Sequence, residues 1–131
     1  LPSCMADRKR LHRAFSNLVA NGIQAMTVGG DLDVRTILVH PARSPELQAS
    51  LSGVPAATEA ALRVIIKDTG QGIPPERLSR IFDPFYTTKE KGLGLGMAIT
   101  HRIIEDHKGT IDVQSQVGFG TTFTIDLPVS L

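Results

Sequence analysis

Tryptophan is absent from the 131 residues, tyrosine occurs once and phenylalanine five times, so any core must be built mainly from Leu, Ile and Val. The single cysteine, Cys4, has no partner for an internal disulfide. That excludes a disulfide-stapled fold and points to a reducing compartment. No apolar run is long enough to cross a bilayer. The start "LPSCMADRKR" lacks both an initiator methionine and the apolar centre of a signal peptide. Charge of one sign is lacking too: 14 Lys and Arg stand against 13 Asp and Glu, a formal net charge of +1. No general attraction to nucleic acid or to a membrane surface follows from that balance. The expectation is a cytoplasmic domain, residues 1–131, belonging to a longer protein and large enough for its own core.

Apolar periodicity supplies the elements. At about 100° per residue, Leu11, Phe15, Leu18, Val19 and Met26 share one side of a helix over residues 6–26, opposite Arg10, Arg13, Asn17, Asn21 and Gln24. "TVGGD" breaks it, and "DLDVRTILV" alternates as a strand. Residues 41–60 carry three prolines and no periodicity, which reads as a long connecting insertion. "ALRVIIKD" is a second strand, "PPERLSRIF" a short helix, 83–94 a loop, and "LGMAITHRIIEDHKG" a helix closing at Gly109. "TIDVQSQV" and "TTFTIDL" around "GFG" make a hairpin. The order implies an α+β fold: a two-layer sandwich of one mixed sheet with helices on one face.

Three stretches carry chemistry. In "ALRVIIKD", Leu62, Val64, Ile66 and Asp68 share a parity, so a carboxylate ends an apolar row. A charge there needs hydrogen-bond donors. Either Asp68 caps the following turn, or it accepts from a ligand such as the amine of an adenine ring, with Gly70 and Gly72 letting a flat ring come close. "GLGLGMAIT" places Gly92, Gly94 and Gly96 before a helix. It serves either as a phosphate site of exposed amides or as a hinge. No Lys-Ser/Thr follows, so it is not the usual P-loop, and no strand leads into it, which argues against a dinucleotide fold. Asn17 and Asn21, one helical turn apart, either ligand a hard cation such as Mg²⁺ or form a solvated stripe.

In order along nearly the whole chain, these stretches resemble the ATP-binding catalytic domain of bacterial sensor histidine kinases. The wider superfamily includes gyrase, heat-shock chaperone and mismatch-repair ATPases. "HRAFSNLVANGIQAM" resembles the asparagine box, "DTGQGI" and "GLGLGMAI" the two glycine boxes, "FDPFYTTK" the phenylalanine box, and "GFGTTFTIDLP" the last glycine-threonine segment. The nearest likeness is to nitrogen-regulation kinases. The resemblance implies a Bergerat-type fold that binds ATP and Mg²⁺. Asn21 would ligand the metal, with Asn17 lining the same pocket. Asp68 would accept from the adenine amine, helped by Thr121, while Gly70, Gly72 and Ile73 shape the adenine wall. Phe82 and Phe85 would anchor a lid, Lys89 would reach a phosphate oxygen, and Gly92, Gly94, Leu95 and Gly96 would wrap the phosphates. Gly22 and Gln24 depart from the alanine and lysine common in relatives; a mid-helix glycine costs about 1 kcal/mol.

The implied reaction passes the γ-phosphoryl group of ATP to a histidine, then to an aspartate of a response regulator. His12, His40, His101 and His107 are each followed by a basic residue or proline, not by the acid of a phosphoacceptor box. The acceptor is therefore expected in dimerisation helices of the same protein, outside this chain. Two other classes remain. An ATP-gated conformational module would carry a catalytic glutamate in the first helix, yet no acid lies between Leu11 and Met26. A non-catalytic interaction module would have lost nucleotide binding, against the presence of every box.

Overall fold

The structure, a computed structural model, describes residues 6–39, 60–84 and 96–129. Helix α1 spans Arg8–Ala25, followed by strands β1 (Leu32–Val39) and β2 (Ala60–Asp68). A single-turn helix α2 (Pro75–Leu78), helix α3 (Gly96–Asp106) and strands β3 (Thr110–Gln116) and β4 (Gly120–Val129) complete the order. The expected sequence of elements is the observed one. Most of the expected insertion lies outside the described residues.

The four strands form one sheet in the order β1-β2-β4-β3. A mixed sheet was expected, but among the described residues all three pairings are antiparallel. β2 and β3 do run the same way, as a helical crossover requires. β4 folds back between them, so each meets only an antiparallel neighbour.

One face of the sheet is buried beneath the helices. Its rungs run Val64–Ile125–Ile111 and Ile66–Phe123–Val113 across β2, β4 and β3. Leu18 of α1 and Ile104 of α3 are fully enclosed against this face. The opposite face is more polar; there Arg63 of β2 grips Asp126 of β4 with two bonds of 2.8 and 2.9 Å. The two-layer α+β arrangement is thus that expected from the element order.

Two features of the helices differ from expectation. The most buried residues of α1 are Ala14, Leu18 and Gly22, one turn apart. Asn17 and Asn21 are half-buried beside them and face α3, not solvent. At about 100° per residue they lie only about 60–100° from Leu18, close enough for a second helix to cover. At the end of α3, Gly109 was expected to terminate the helix. The left-handed residue is instead Lys108, φ 60°. Its N–H bonds the Glu105 carbonyl at 2.8 Å and that of Gly109 bonds Ile104 at 2.9 Å, the Schellman pattern. Glycine stands at 109 because a Cβ there would lie 2.5 Å from the Asp126 carbonyl oxygen.

The far ends of the two helices are tied as well. The side chain of Asp7 caps α1 by accepting from the Arg10 N–H. The Asp7 N–H donates to His107 Nε2 at 2.9 Å, so the ring proton sits on Nδ1, 2.8 Å from the Ile103 carbonyl. Arg10 also pairs with Asp106.

Candidate functional site

β2, β4 and β3 each place a polar residue at the same end of an otherwise apolar inward row. Asp68 pairs in register with Thr121, and Thr121 with Ser115. One polar rung therefore closes the buried face, next to the apolar rung of Ile66, Phe123 and Val113. Asp68 and Thr121 are each only 5% exposed.

The Asp68 carboxylate is half used. Its Oδ1 accepts the N–H of Gly70 at 2.9 Å. Among the described residues no donor meets Oδ2. That oxygen lies beside α1, 3.6 Å from where a Cβ on Gly22 would stand. Asp68 thus caps its turn with one oxygen, the first of the two readings of the sequence pattern, while its other oxygen lies beside α1. A buried carboxylate oxygen without a donor is costly. The position suits an amine donor from a ligand.

Gly70 and Gly72 have another reason to be glycine than an approaching ring. A Cβ at Gly70 would lie 2.6 Å from the Ala25 carbonyl oxygen, and one at Gly72 would overlap the Gln116 carbonyl. Gly72 also has φ 77°. Their bare faces meet protein backbone, so the loop after β2 is pressed between the end of α1 and the β3–β4 turn. Gln71 donates to the Ala25 carbonyl and accepts from Gly118, which holds the loop on both sides. Ile73 is anchored through its N–H, 2.7 Å from Ser115 Oγ.

On the other side of Gly22, α1 meets the first turn of α3. Asn17 Nδ2 lies 3.3 Å from both the Gly96 carbonyl and Thr100 Oγ1, and Thr100 donates to Gly96 at 2.8 Å. Asn21 Nδ2 contacts Met97 Sδ at 2.8 Å. The amide nitrogens of both asparagines are thus turned toward α3. Among the described residues no cluster of three or more His, Cys, Asp or Glu could hold a metal. A hard cation here would rest on asparagine oxygen together with oxygens of the ligand itself.

The structure thus brings Asn17, Asn21 and Gly96 together along α1 and α3. Asp68, Gly70, Gly72, Ile73 and Thr121 gather at the sheet's rim, and Gly22 joins the two groups. Phe85, Lys89, Gly92, Gly94 and Leu95 lie outside the described residues. Phe82 is half-buried and stacks on His101, ring centroids 4.9 Å apart. A separate groove of about 460 Å³ lies over Phe82, Ile99 and His101; of the residues given a role from the sequence, only Phe82 lines it.

Two site residues were missed from the sequence. Thr100 is fully buried on the same stripe of α3 as Ile103 and Ile104, and a polar residue at that spacing was the available signal. Ser115 ends the inward row Ile111, Val113, Ser115 in the way Asp68 ends its own.

Residues 6–131 match the family model described as histidine kinase-, DNA gyrase B-, and HSP90-like ATPase. The chain is similar to the sensor histidine kinase ZraS of Escherichia coli (strain K12), 40% identical over 131 residues, all of this chain and 24% of that protein. It is 38% identical to the sensory histidine kinase/phosphatase NtrB of Rhizobium leguminosarum bv. phaseoli over 99% of this chain and 33% of that one. Full-length ShkA, solved in complex with AMPPNP, superposes with a TM-score of 0.73 at 26% identity, covering 100% of this chain and 24% of that one. The chain spans about a quarter to a third of the length of the curated relatives named here. Matched over residues 6–131 and sharing its fold with full-length ShkA, the chain belongs to the histidine kinase-, DNA gyrase B-, and HSP90-like ATPase family.

Proposed function

We propose that this chain, residues 1–131 taken as one domain, is the ATP-binding catalytic domain of a two-component sensor histidine kinase. It binds ATP with Mg²⁺ and donates the γ-phosphoryl group to a histidine on the dimerisation helices of the same protein. A response-regulator aspartate then receives it. The observation that carries this is Asp68: a buried carboxylate, one oxygen held by Gly70 and the other without a described donor, aimed beside the helix of Asn17 and Asn21. An adenine amine supplies the missing donor. Thr121 stands next to Asp68 and Ile73 lies on the anchored loop at the ring's side.

Phosphoryl transfer asks little covalent chemistry of a protein; positioning and neutralisation of charge do most of the work. When bound, Mg²⁺ would neutralise phosphate charge, with Asn21 as its protein ligand. The exposed first-turn amides of α3, which starts at Gly96, suit phosphate oxygens. Gly92, Gly94, Leu95 and Lys89 are assigned the same task, and Phe85 the anchoring of a lid with Phe82. Two of the described histidines are already engaged. His107 has both ring nitrogens engaged and His101 pairs with Glu105 through Nδ1. We place the domain in the cytoplasm; among the described residues no helix is long and apolar enough to cross a membrane.

The test is calorimetry of the chain with ATP, with and without Mg²⁺, followed by phosphoryl transfer to an added dimerisation-helix segment of a relative. Binding without self-labelling, and labelling of the added histidine, is the expected result. Turnover of ATP by the chain alone faster than a few per minute would mark an ATP-gated conformational module, and absence of heat a domain that has lost nucleotide.

A further inference from the structure

Ser115 makes three hydrogen bonds at the end of the polar rung. Its Oγ is 2.7 Å from the Ile73 N–H, 2.9 Å from the Gly120 carbonyl oxygen and 2.8 Å from Thr121 Oγ1. A hydroxyl has one proton and two acceptor sites. The Ile73 N–H can only donate and the Gly120 carbonyl can only accept, so the Ser115 proton goes to Gly120. Thr121 must then donate its own proton to Ser115. Thr121 Oγ1 is left with acceptor capacity alone, on the same face and rung as the carboxylate of Asp68. Neighbouring in-register side chains stand about 5 Å apart at Cβ.

From this proton count we propose that Ser115, which touches no ligand itself, is a positioning residue that sets which purine the site accepts. By taking the Thr121 proton it makes the rim a pair of acceptors, Asp68 Oδ2 and Thr121 Oγ1. Such a pair suits a 6-amino group, directly or through a water, and opposes a 6-oxo group, whose lone pairs would face two more acceptors. The same hydroxyl holds Ile73 in place at the side of the ring. Without Ser115, Thr121 is free to rotate and donate, and a 6-oxo purine loses its disadvantage. The inference rests on the adenine assignment of the preceding subsection and adds to it a basis for selectivity.

The test compares ATP with inosine triphosphate, which differ in that 6-substituent, by titration calorimetry on the full chain. Ser115→Thr keeps the hydroxyl, and Ser115→Val has the same branched shape without it. Both suit a strand. Wild type and Ser115→Thr should prefer ATP. In Ser115→Val the preference should shrink by about tenfold, the worth of one hydrogen bond. Thr121→Val should produce the same shrinkage, and adding it to Ser115→Val should produce no more. If Ser115→Val does not melt cooperatively, Ser115→Ala takes its place with the same expectation. Equal losses for both nucleotides in the hydroxyl-free variants, or additive losses in the double variant, would overturn the role of Ser115 while leaving adenine recognition intact. A wild-type chain that binds neither nucleotide would overturn both.

Discussion

Asp68 holds one backbone N–H and has a second oxygen to give, at a site 5% exposed. Replacing it with Asn removes the charge and turns one acceptor into a donor. Asp68→Asn should weaken ATP by about 1.5–3 kcal/mol, the range for a hydrogen bond to a charged group. That is about tenfold to a hundredfold in affinity. Calorimetry on a variant with an unchanged melting profile checks it, and unaltered affinity would remove adenine from this position. Asn21 carries a separate expectation. Its Nδ2 lies against Met97, and its amide oxygen is the atom whose chemistry suits a hard cation. Asn21→Ala should lower ATP affinity more with Mg²⁺ than with chelator present. Equal losses would leave Asn21 a packing residue between α1 and α3.

At the scale of elements, the end of α3 offers two adjacent positions with opposite expected signs. Lys108 is in the left-handed region, which costs a non-glycine residue about 1 kcal/mol or more. Lys108→Gly should relieve this and, after the entropy glycine adds to the unfolded chain, raise stability by up to about 1 kcal/mol. Gly109→Ala should instead destabilise by more than that, because its Cβ would press on the Asp126 carbonyl and, at 2.9 Å, on Leu127 Cδ2. Urea unfolding of the two variants decides it: a loss at 108 or no loss at 109 would contradict the observed cap. The loop after β2 follows the same logic. It is placed by close contacts at Gly70 and Gly72 and by Ser115, so the ring-side residue Ile73 depends on the hairpin as much as on its own segment.

For the whole molecule, acid should loosen the clasp between the start of α1 and the end of α3. The hydrogen bond from Arg10 holds the Asp106 carboxyl below its ordinary value, against an opposing effect of burial and with further help from the charges of Arg10 and Arg102. A carboxyl lowered in the folded state stabilises the fold at pH above its unfolded value. That contribution is lost as pH falls through the carboxylate range toward the folded value. Asp106→Asn should therefore be less stable than wild type near neutrality, and the difference should fade in acid. Urea midpoints across pH 2–7 would show it, and a constant difference would mean that the Arg10 pair contributes nothing titratable.

Alternation and helical periodicity are local properties, so the sequence alone determined the order of elements, the inward parity of Leu62, Val64, Ile66 and Asp68, and the hairpin around "GFG". It also carried the family, because the boxes are contiguous strings. Partners across the chain are a different matter. Only the tertiary structure decided that β4 lies between β2 and β3, which makes every described pairing antiparallel. It likewise decided that Asn17 and Asn21 face a second helix, and that Gly70 and Gly72 are glycines because backbone presses on them. Ser115 became visible for the same reason. Its three partners come from two further segments of chain, and which hydroxyl donates depends on all of them being in place at once.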